Sequence, residues 1–207
     1  MSATRPEPRV IEGRFIRLEP LRPQQLPELY AAIGSSEVFA GGWGGGPAGH
    51  QATEDDFVEF ARGYFPWTGN VYAARVAGGA DAGTLVGTSS LADFDEPNEH
   101  AHIGWTAWSP QVWGTAVNPE AKLLMLGEAF DNGFGRVKLQ ADEVNARSRA
   151  AITKLGAQFE GIQRRDRRRA DGSWRSTAIY SILSDEWPAV RETLETRLSA
   201  FTAPITL

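Results

Sequence analysis

The sequence predicts a single domain of the mixed α/β class, a sandwich with helices on the faces of a sheet of parallel and antiparallel strands. Three observations carry that expectation. Short runs of alternating apolar and polar residues are bounded by Gly, Pro, Asn and Asp, as strands are. Longer stretches with apolar residues at helical spacing lie among them, introduced by cap residues. The 207 residues include 42% apolar and 23% charged side chains, an ordinary globular balance with enough apolar material for one core.

Taken in order, Arg14-Phe15-Ile16-Arg17-Leu18 alternates and reads as the first strand. Pro20 and Pro23 precede a helix expected over residues 24–33. Gly41-Gly42-Trp43-Gly44-Gly45-Gly46-Pro47 is too glycine-rich for a regular element and reads as an irregular loop. Helix returns behind the N-cap Thr53, with acidic residues in its first turn, and runs to about Tyr64. Strands follow over residues 71–76, 84–94 and 100–108, turning at Gly78-Gly79 and Pro97-Asn98. Residues 118–132 form a largely buried helix, with Asn118 as N-cap, Pro119 in the first position and Gly133 at its end. A strand over 136–141 leads to a helix over 146–155, capped by Asn145 and stopped by Gly156. A hairpin runs from residue 158 through the Asp171-Gly172 turn to residue 183. The last helix starts behind Ser184 and carries Trp187, Val190, Leu194, Leu198 and Phe201 on one stripe. Residues 1–9 read as a mobile leader, 10–199 as the domain and 200–207 as a tail, with no repeat, linker or second domain.

Composition excludes several kinds of chemistry. The chain has no cysteine, so a disulfide framework, a cysteine zinc site and an acyl-cysteine intermediate are all ruled out. No apolar run approaches the ~18–20 residues that cross a bilayer, and the N-terminus lacks the apolar core of a secretory signal, so no membrane association is expected. A formal charge of −5 argues against nucleic acid as a partner while leaving room for a small anion in a local pocket. A bacterial-type cytoplasmic enzyme is the expectation.

The stretch with the most chemistry is Trp105-Thr106-Ala107-Trp108-Ser109-Pro110-Gln111-Val112-Trp113-Gly114-Thr115-Ala116-Val117-Asn118. A strand passes through a short loop of small residues into a strongly capped helix. Backbone N–H groups converge in such a loop, and the helix N-terminus adds roughly half a positive charge. That makes an anion site suited to a phosphate or pyrophosphate. It is neither a P-loop, since no Gly-Lys-Ser/Thr follows, nor a dinucleotide fingerprint.

Gln111-x-x-Gly114-x-Ala116 resembles the Gln/Arg-x-x-Gly-x-Gly/Ala coenzyme-A loop of the GNAT N-acetyltransferase superfamily. Asn145-Ala146-Arg147-Ser148, Leu155-Gly156-Ala157-Gln158-Phe159-Glu160-Gly161 and the tail Tyr180 to Pro188 resemble segments of its RimJ/RimL-like branch, in order, over roughly residues 10–198. The resemblance implies a splayed, mixed seven-stranded sheet with acetyl-CoA wedged between the fourth and fifth strands. It implies a pantetheine arm paired with backbone around Trp105, Ala107 and Trp108. The pyrophosphate would lie on Gln111, Val112, Trp113, Gly114, Thr115 and Ala116 ahead of Asn118, and Asn145, Arg147 and Ser148 would contact the coenzyme. Two departures stand out. Thr115 occupies a position that is often basic in the family. Ile152 replaces the Tyr expected to protonate the departing thiolate, a role that passes to Ser148 or is empty.

The implied reaction is direct acetyl transfer to a primary amine of a small molecule or a protein N-terminus. A base must accept a proton, and strand N–H groups near Ala107 are candidate oxyanion donors. His102 stands where relatives commonly have Glu, and a free imidazole accepts a proton near neutrality. His100-x-His102 lacks a third ligand, so no metal is expected. Asp166, set among Arg164, Arg165, Arg167, Arg168 and Arg169, is expected to stay ionised and to hold an ammonium substrate. Phe39, Trp43 and Trp67 are candidates for the wall or lid over the acceptor. Two other readings stand beside this one. One is transfer of a bulkier acyl group such as succinyl, favoured by Arg165 or Arg167 near the acceptor end; the other is a catalytically silent CoA sensor. A homodimer using residues 199–207 is the expected assembly.

Overall fold

The computed structural model describes residues 2–169 and 171–207. Strands β1 (Ile11–Glu12), β2 (Ile16–Pro20), β3 (Asn70–Val76), β4 (Leu85–Asp95), β5 (His100–Trp108), β6 (Arg136–Asp142), β7 (Gln158–Arg168) and β8 (Trp174–Leu183) form one sheet in the order β1-β2-β3-β4-β5-β6-β8-β7. Neighbours are antiparallel except β5 and β6, which run parallel. The eighth strand, beyond the seven expected, is β1. Its two residues pair with Leu18 and Arg17 and are too few to display an alternating pattern.

The helices are α1 (Leu26–Ile33), α2 (Ser36–Ala40), α3 (Glu54–Tyr64), α4 (Val117–Asp131), α5 (Ala146–Thr153) and α6 (Trp187–Ser199). Strand β3 shows how they divide the core. Tyr72, Ala74 and Val76 point into the cluster shared with α4 and α6, while Val71 and Ala73 point into the cluster shared with α1 and α3. Burial of both faces explains why residues 85–92 of β4 are buried without interruption. Each large side chain sealed this way, such as Tyr72, Phe57 or Leu26, contributes about 1.5–3 kcal/mol.

One buried carboxylate locks the first strands to α4. Glu120, 4% exposed, accepts the backbone N–H groups of Arg14 at 2.8 Å and of Phe15 and Ile16 at 2.7 Å. Gly13 makes the approach possible, since a Cβ there would meet the Glu120 carboxyl at 2.7 Å.

Several local expectations need correction. Helix α4 starts at Val117 with Ala116 as its N-cap, and Asn118 is not the cap. The Asn118 carbonyl is instead taken by the Trp108 indole N–H at 2.9 Å. Helix α6 starts at Trp187 behind Glu186 rather than behind Ser184, because Glu186 turns back to accept the Leu183 N–H at 2.9 Å. The leader lies against the domain: Ala3 is buried, Thr4 N–H donates to Asn132 O at 3.0 Å, and Arg5 reaches Asn70 Oδ1 at 3.1 Å. The tail folds back on its own chain. Ile205 is buried in the main cluster and Leu207 N–H donates to Asp81 at 3.1 Å.

Candidate active site

Strands β5 and β6 are paired at one end only, where His100, Ala101 and His102 face Arg136, Val137 and Lys138. The reason lies in β5 itself. Trp105 adopts φ +51°, and the β4–β5 register shifts between Thr88 and Ser90, so a bulge bends the strand there. Past His102 the strands part, and a cavity of about 490 Å³ opens between Ile103–Trp108 on one side and Leu139–Asp142 on the other. Trp105, Ala107 and Trp108 line it.

The cavity reaches the turn ahead of α4, where Val112, Trp113, Gly114, Thr115 and Asn118 form its wall. Gly114 has φ +80°, a conformation that favours glycine, and a Cβ there would meet nothing within 4 Å. Thr115 closes the turn by donating to Val112 O at 2.7 Å and accepting the Val117 N–H at 3.3 Å. Among the described residues the N–H groups of Gly114, Ala116 and Asn118 have no intramolecular acceptor, as is usual at a helix start. Gln111 and Ala116 are not part of the wall: Gln111 is exposed and Ala116 is fully buried beneath the turn.

Helix α5 supplies the facing side. Asn145 caps it by accepting the Ser148 N–H at 2.9 Å, and the Asn145 amide donates to Gly41 O in the glycine loop. Arg147 lies with its guanidinium 3.8 Å from the centre of the Trp113 ring. A side chain at Gly41 would collide with Arg147, and one at Gly42 would meet the Asn145 amide at 3.0 Å. The glycines therefore let the loop lie flat on α5. Trp43 extends from that loop into the cavity wall, donating its indole N–H to Trp105 O at 3.3 Å and packing edge-on against Phe39 and Tyr64.

His102 is 2% exposed and lines the cavity. Its Nδ1 lies 2.8 Å from Asp93 Oδ2, which assigns the proton to Nδ1 and leaves Nε2 with a free lone pair. Nε2 is buried, has no partner among the described residues, and sits where a Cβ on Gly104 would come within 2.8 Å. Burial pushes the His102 pKa down against the opposing pull of Asp93, so the ring is neutral at pH 7. The hydrogen bond to His102 holds the Asp93 carboxyl below the usual range.

Sequence reasoning missed Asp93, Lys122, Tyr64 and Arg175. A plain count outward from the Pro97-Asn98 turn sets Asp93 opposite His102; a bulge makes Ala92 the actual register partner, yet the Asp93 and His102 side chains still meet. Lys122 lies one helical turn after Asn118 on the same face, a lone cation in a helix read as buried. It is 5% exposed, lines the cavity, and donates to Thr106 Oγ1 at 2.7 Å and Ser89 Oγ at 3.0 Å. Burial alone brings its pKa down to about 7. Arg175 is the cross-strand partner of Arg167 and lines the cavity with it.

Three residues expected at the acceptor do not reach the cavity. Phe39 is fully buried in the aromatic cluster around Trp43 and Phe60. Trp67 donates its indole N–H to Arg62 O at 2.9 Å and packs on Phe65, closing the end of α3. Asp166 is taken by the Thr177 hydroxyl at 2.6 Å and by Arg167 at 3.2 Å. Ile152 lines the cavity where the family Tyr was sought. Among the described residues no group of three or more His, Asp or Glu is placed to hold a metal, and no helix is long and apolar enough to cross a membrane.

The sequence matches the family described as Acetyltransferase (GNAT) domain over residues 16–158. A crystal structure of a GCN5-related N-acetyltransferase from Brucella melitensis superposes with a TM-score of 0.86 at 28% identity, covering 99% of this chain and 93% of that one. A T. thermophilus structure described as an acetyltransferase gives 0.79 at 31% identity, covering 94% of this chain and all of that one. The microcin C7 self-immunity acetyltransferase MccE, solved with acetyl-CoA and AMP, shares the fold at 19% identity and a TM-score of 0.67, covering 83% and 93% of the two chains. No protein of curated function matches the chain.

Proposed function

Since the chain belongs to the GNAT acetyltransferase domain family, we propose that it is an N-acetyltransferase that moves acetyl from acetyl-CoA directly to a primary amine of a small molecule or a protein N-terminus. The observation that carries this reading is the parting of β5 from β6 over a cavity that reaches the Gly114 turn. The motifs around Asn145 and Leu155 favour the RimJ/RimL-like branch, and a cytoplasmic place of action belongs to the same reading.

The residues divide the work as follows. The N–H groups of Gly114 and Asn118 receive the diphosphate with the help of the α4 N-terminus. Residues 103–108 of β5 offer backbone to the amides of the pantetheine arm, and Asn145, Arg147 and Ser148 flank it from α5. The amine nitrogen attacks the thioester carbonyl carbon, the C–S bond breaks, and the thiolate leaves. His102 Nε2 accepts the proton the amine gives up, and Asp93 steadies the imidazolium through Nδ1–H. That proton returns to solvent, while the thiolate takes one from water, directly or relayed by the Ser148 hydroxyl, which recovers its own proton from water in the same step. An acyl-cysteine is excluded by the composition, and in this reading the acetyl group passes directly between two substrates held together.

Titration calorimetry with acetyl-CoA, paired with thiol release over a panel of primary amines, tests the proposal. Binding with release above the hydrolysis background is expected. Binding without release over the whole panel would make the chain a CoA sensor, and no binding would remove the site.

A further inference from the structure

The cavity is positive although the chain is acidic. Its charged lining consists of Lys122, Arg147, Lys154, Arg167, Arg175 and Arg197 against the single carboxylate of Asp142. At one end it adjoins a recess of about 220 Å³, with which it shares Gly42, Tyr64, Asp142, Arg167 and Arg175.

Two of these arginines oppose each other. Arg167 and Arg175 are cross-strand partners in the β7–β8 hairpin, an arrangement in which like charges repel. The neighbouring arginines are otherwise engaged: Arg165 and Arg168 lie over the Trp174 ring at 4.5 and 4.6 Å, and Arg169 binds Asp142 at 2.7 Å. Both nearby carboxylates are spoken for, Asp142 by Arg169 and Asp166 by Thr177 and Arg167. Arg175 is left over. It is half-buried, its Nε has no partner among the described residues, and its pKa is lowered first by burial and then by Arg167. Two arginines opposed across the hairpin, both lining the cavity and its recess, are the residue type that takes a carboxylate or phosphate in bidentate fashion.

We propose that Arg175 and Arg167 form an anion subsite that receives a carboxylate or phosphate carried by the acceptor amine. This rests on the acyl-transfer reading above and adds the acceptor's chemical class to it. An anion there would relieve the Arg167–Arg175 repulsion while Trp43 and Tyr64 enclose the rest of the acceptor.

The test compares O-phosphoethanolamine with ethanolamine, and L-amino acids with their carboxamides, by thiol release from acetyl-CoA. Wild type should favour the anionic members by about 10-fold or more in kcat/KM, the scale of one charge-assisted hydrogen bond. Arg175→Gln should lose that preference through KM while acetyl-CoA affinity holds, and Arg175→Lys should restore part of it. Arg167→Gln carries the same test should Arg175→Gln not fold. Equal rates for charged and neutral acceptors, or a preference untouched by either substitution, would overturn the proposal. So would an Arg175 dependence that appears only with succinyl-CoA and neutral amines, because the anion would then belong to the donor. A separate arm titrates inorganic phosphate into CoA-saturated protein. Binding that Arg175→Gln weakens is expected, and no binding to wild type overturns the subsite whether or not any amine turns over.

Discussion

Lys122 Nζ stands 2.7 Å from Thr106 Oγ1 inside the domain, and no carboxylate pairs with it among the described residues. Burial holds its pKa at about 7, whereas an unfolded lysine keeps its proton to about pH 10.4. The folded pKa is the lower one, so the unfolded chain binds the extra proton between these values. Stability should therefore climb as pH rises through that window, by up to about 1.4 kcal/mol per pH unit. Lys122→Met should flatten the slope. Urea melts of both proteins at pH 7 and pH 9 measure it, and parallel slopes would show that Lys122 keeps its proton.

His102→Ala should lower kcat by roughly 100-fold, the usual share of a positioned base, with acetyl-CoA affinity little changed. Because burial depresses the His102 pKa, the acid limb of the kcat/KM profile should fall below pH 6.5. Asp93→Asn removes the group that opposes this depression and should push the limb lower still. A profile that ignores both substitutions would take His102 out of the chemistry.

Gly114→Trp should abolish acetyl-CoA binding. The Cβ at this position points into open space, so the ring would occupy the room proposed for the diphosphate. The backbone penalty for a side chain at φ +80° is about 1–2 kcal/mol, small enough for the domain to fold. Calorimetry on the folded variant decides the matter, and unchanged affinity would refute the assigned turn.

Glu120→Ala would strand three N–H groups in a buried corner. A loss of roughly 3 kcal/mol is expected, with a drop in Tm on the order of 10 °C. A variant that melts with wild type would mean water satisfies all three donors.

Ser148→Ala should slow acyl transfer by less than about 10-fold if the hydroxyl only hydrogen-bonds the coenzyme or shares thiolate protonation with water. Its helix cap survives, because Asn145 grips the backbone N–H and not the hydroxyl.

Much of the fold was legible because local rules and tertiary packing agree. Asn145 caps α5 as its sequence position implies, and Thr53 caps α3. The Asp171-Gly172 turn sets the register that brings Arg167 opposite Arg175. Reading failed where a tertiary partner outbid a local one. Asn118 is a good cap residue, yet Trp108 claims its side chain and leaves Ala116 at the helix start. Phe39 precedes the glycine loop and Trp43 lies within it, and only packing decides that Trp43 borders the cavity while Phe39 fills the core. The bulge at Arg165, φ +53°, breaks strict alternation along the arginine run, so counting by twos does not tell which arginines face the cavity. The turn around Gly114 was visible from its small residues. Lys122 was marked only as a lone cation in a helix read as buried, and spacing alone does not say whether so long a side chain ends in the core or reaches solvent.

Three residue pairs are the whole backbone seam between β5 and β6, so the sheet consists of two half-sheets stitched at one corner. A thioester lying in the gap would act as the missing thread, and its occupancy would be felt as mechanical firmness. At a hundredfold excess over Kd the gain is about 2.7 kcal/mol. The heat tolerance of this protein would then follow its ration of acyl donor, stiff when the donor is plentiful and slack when it runs short.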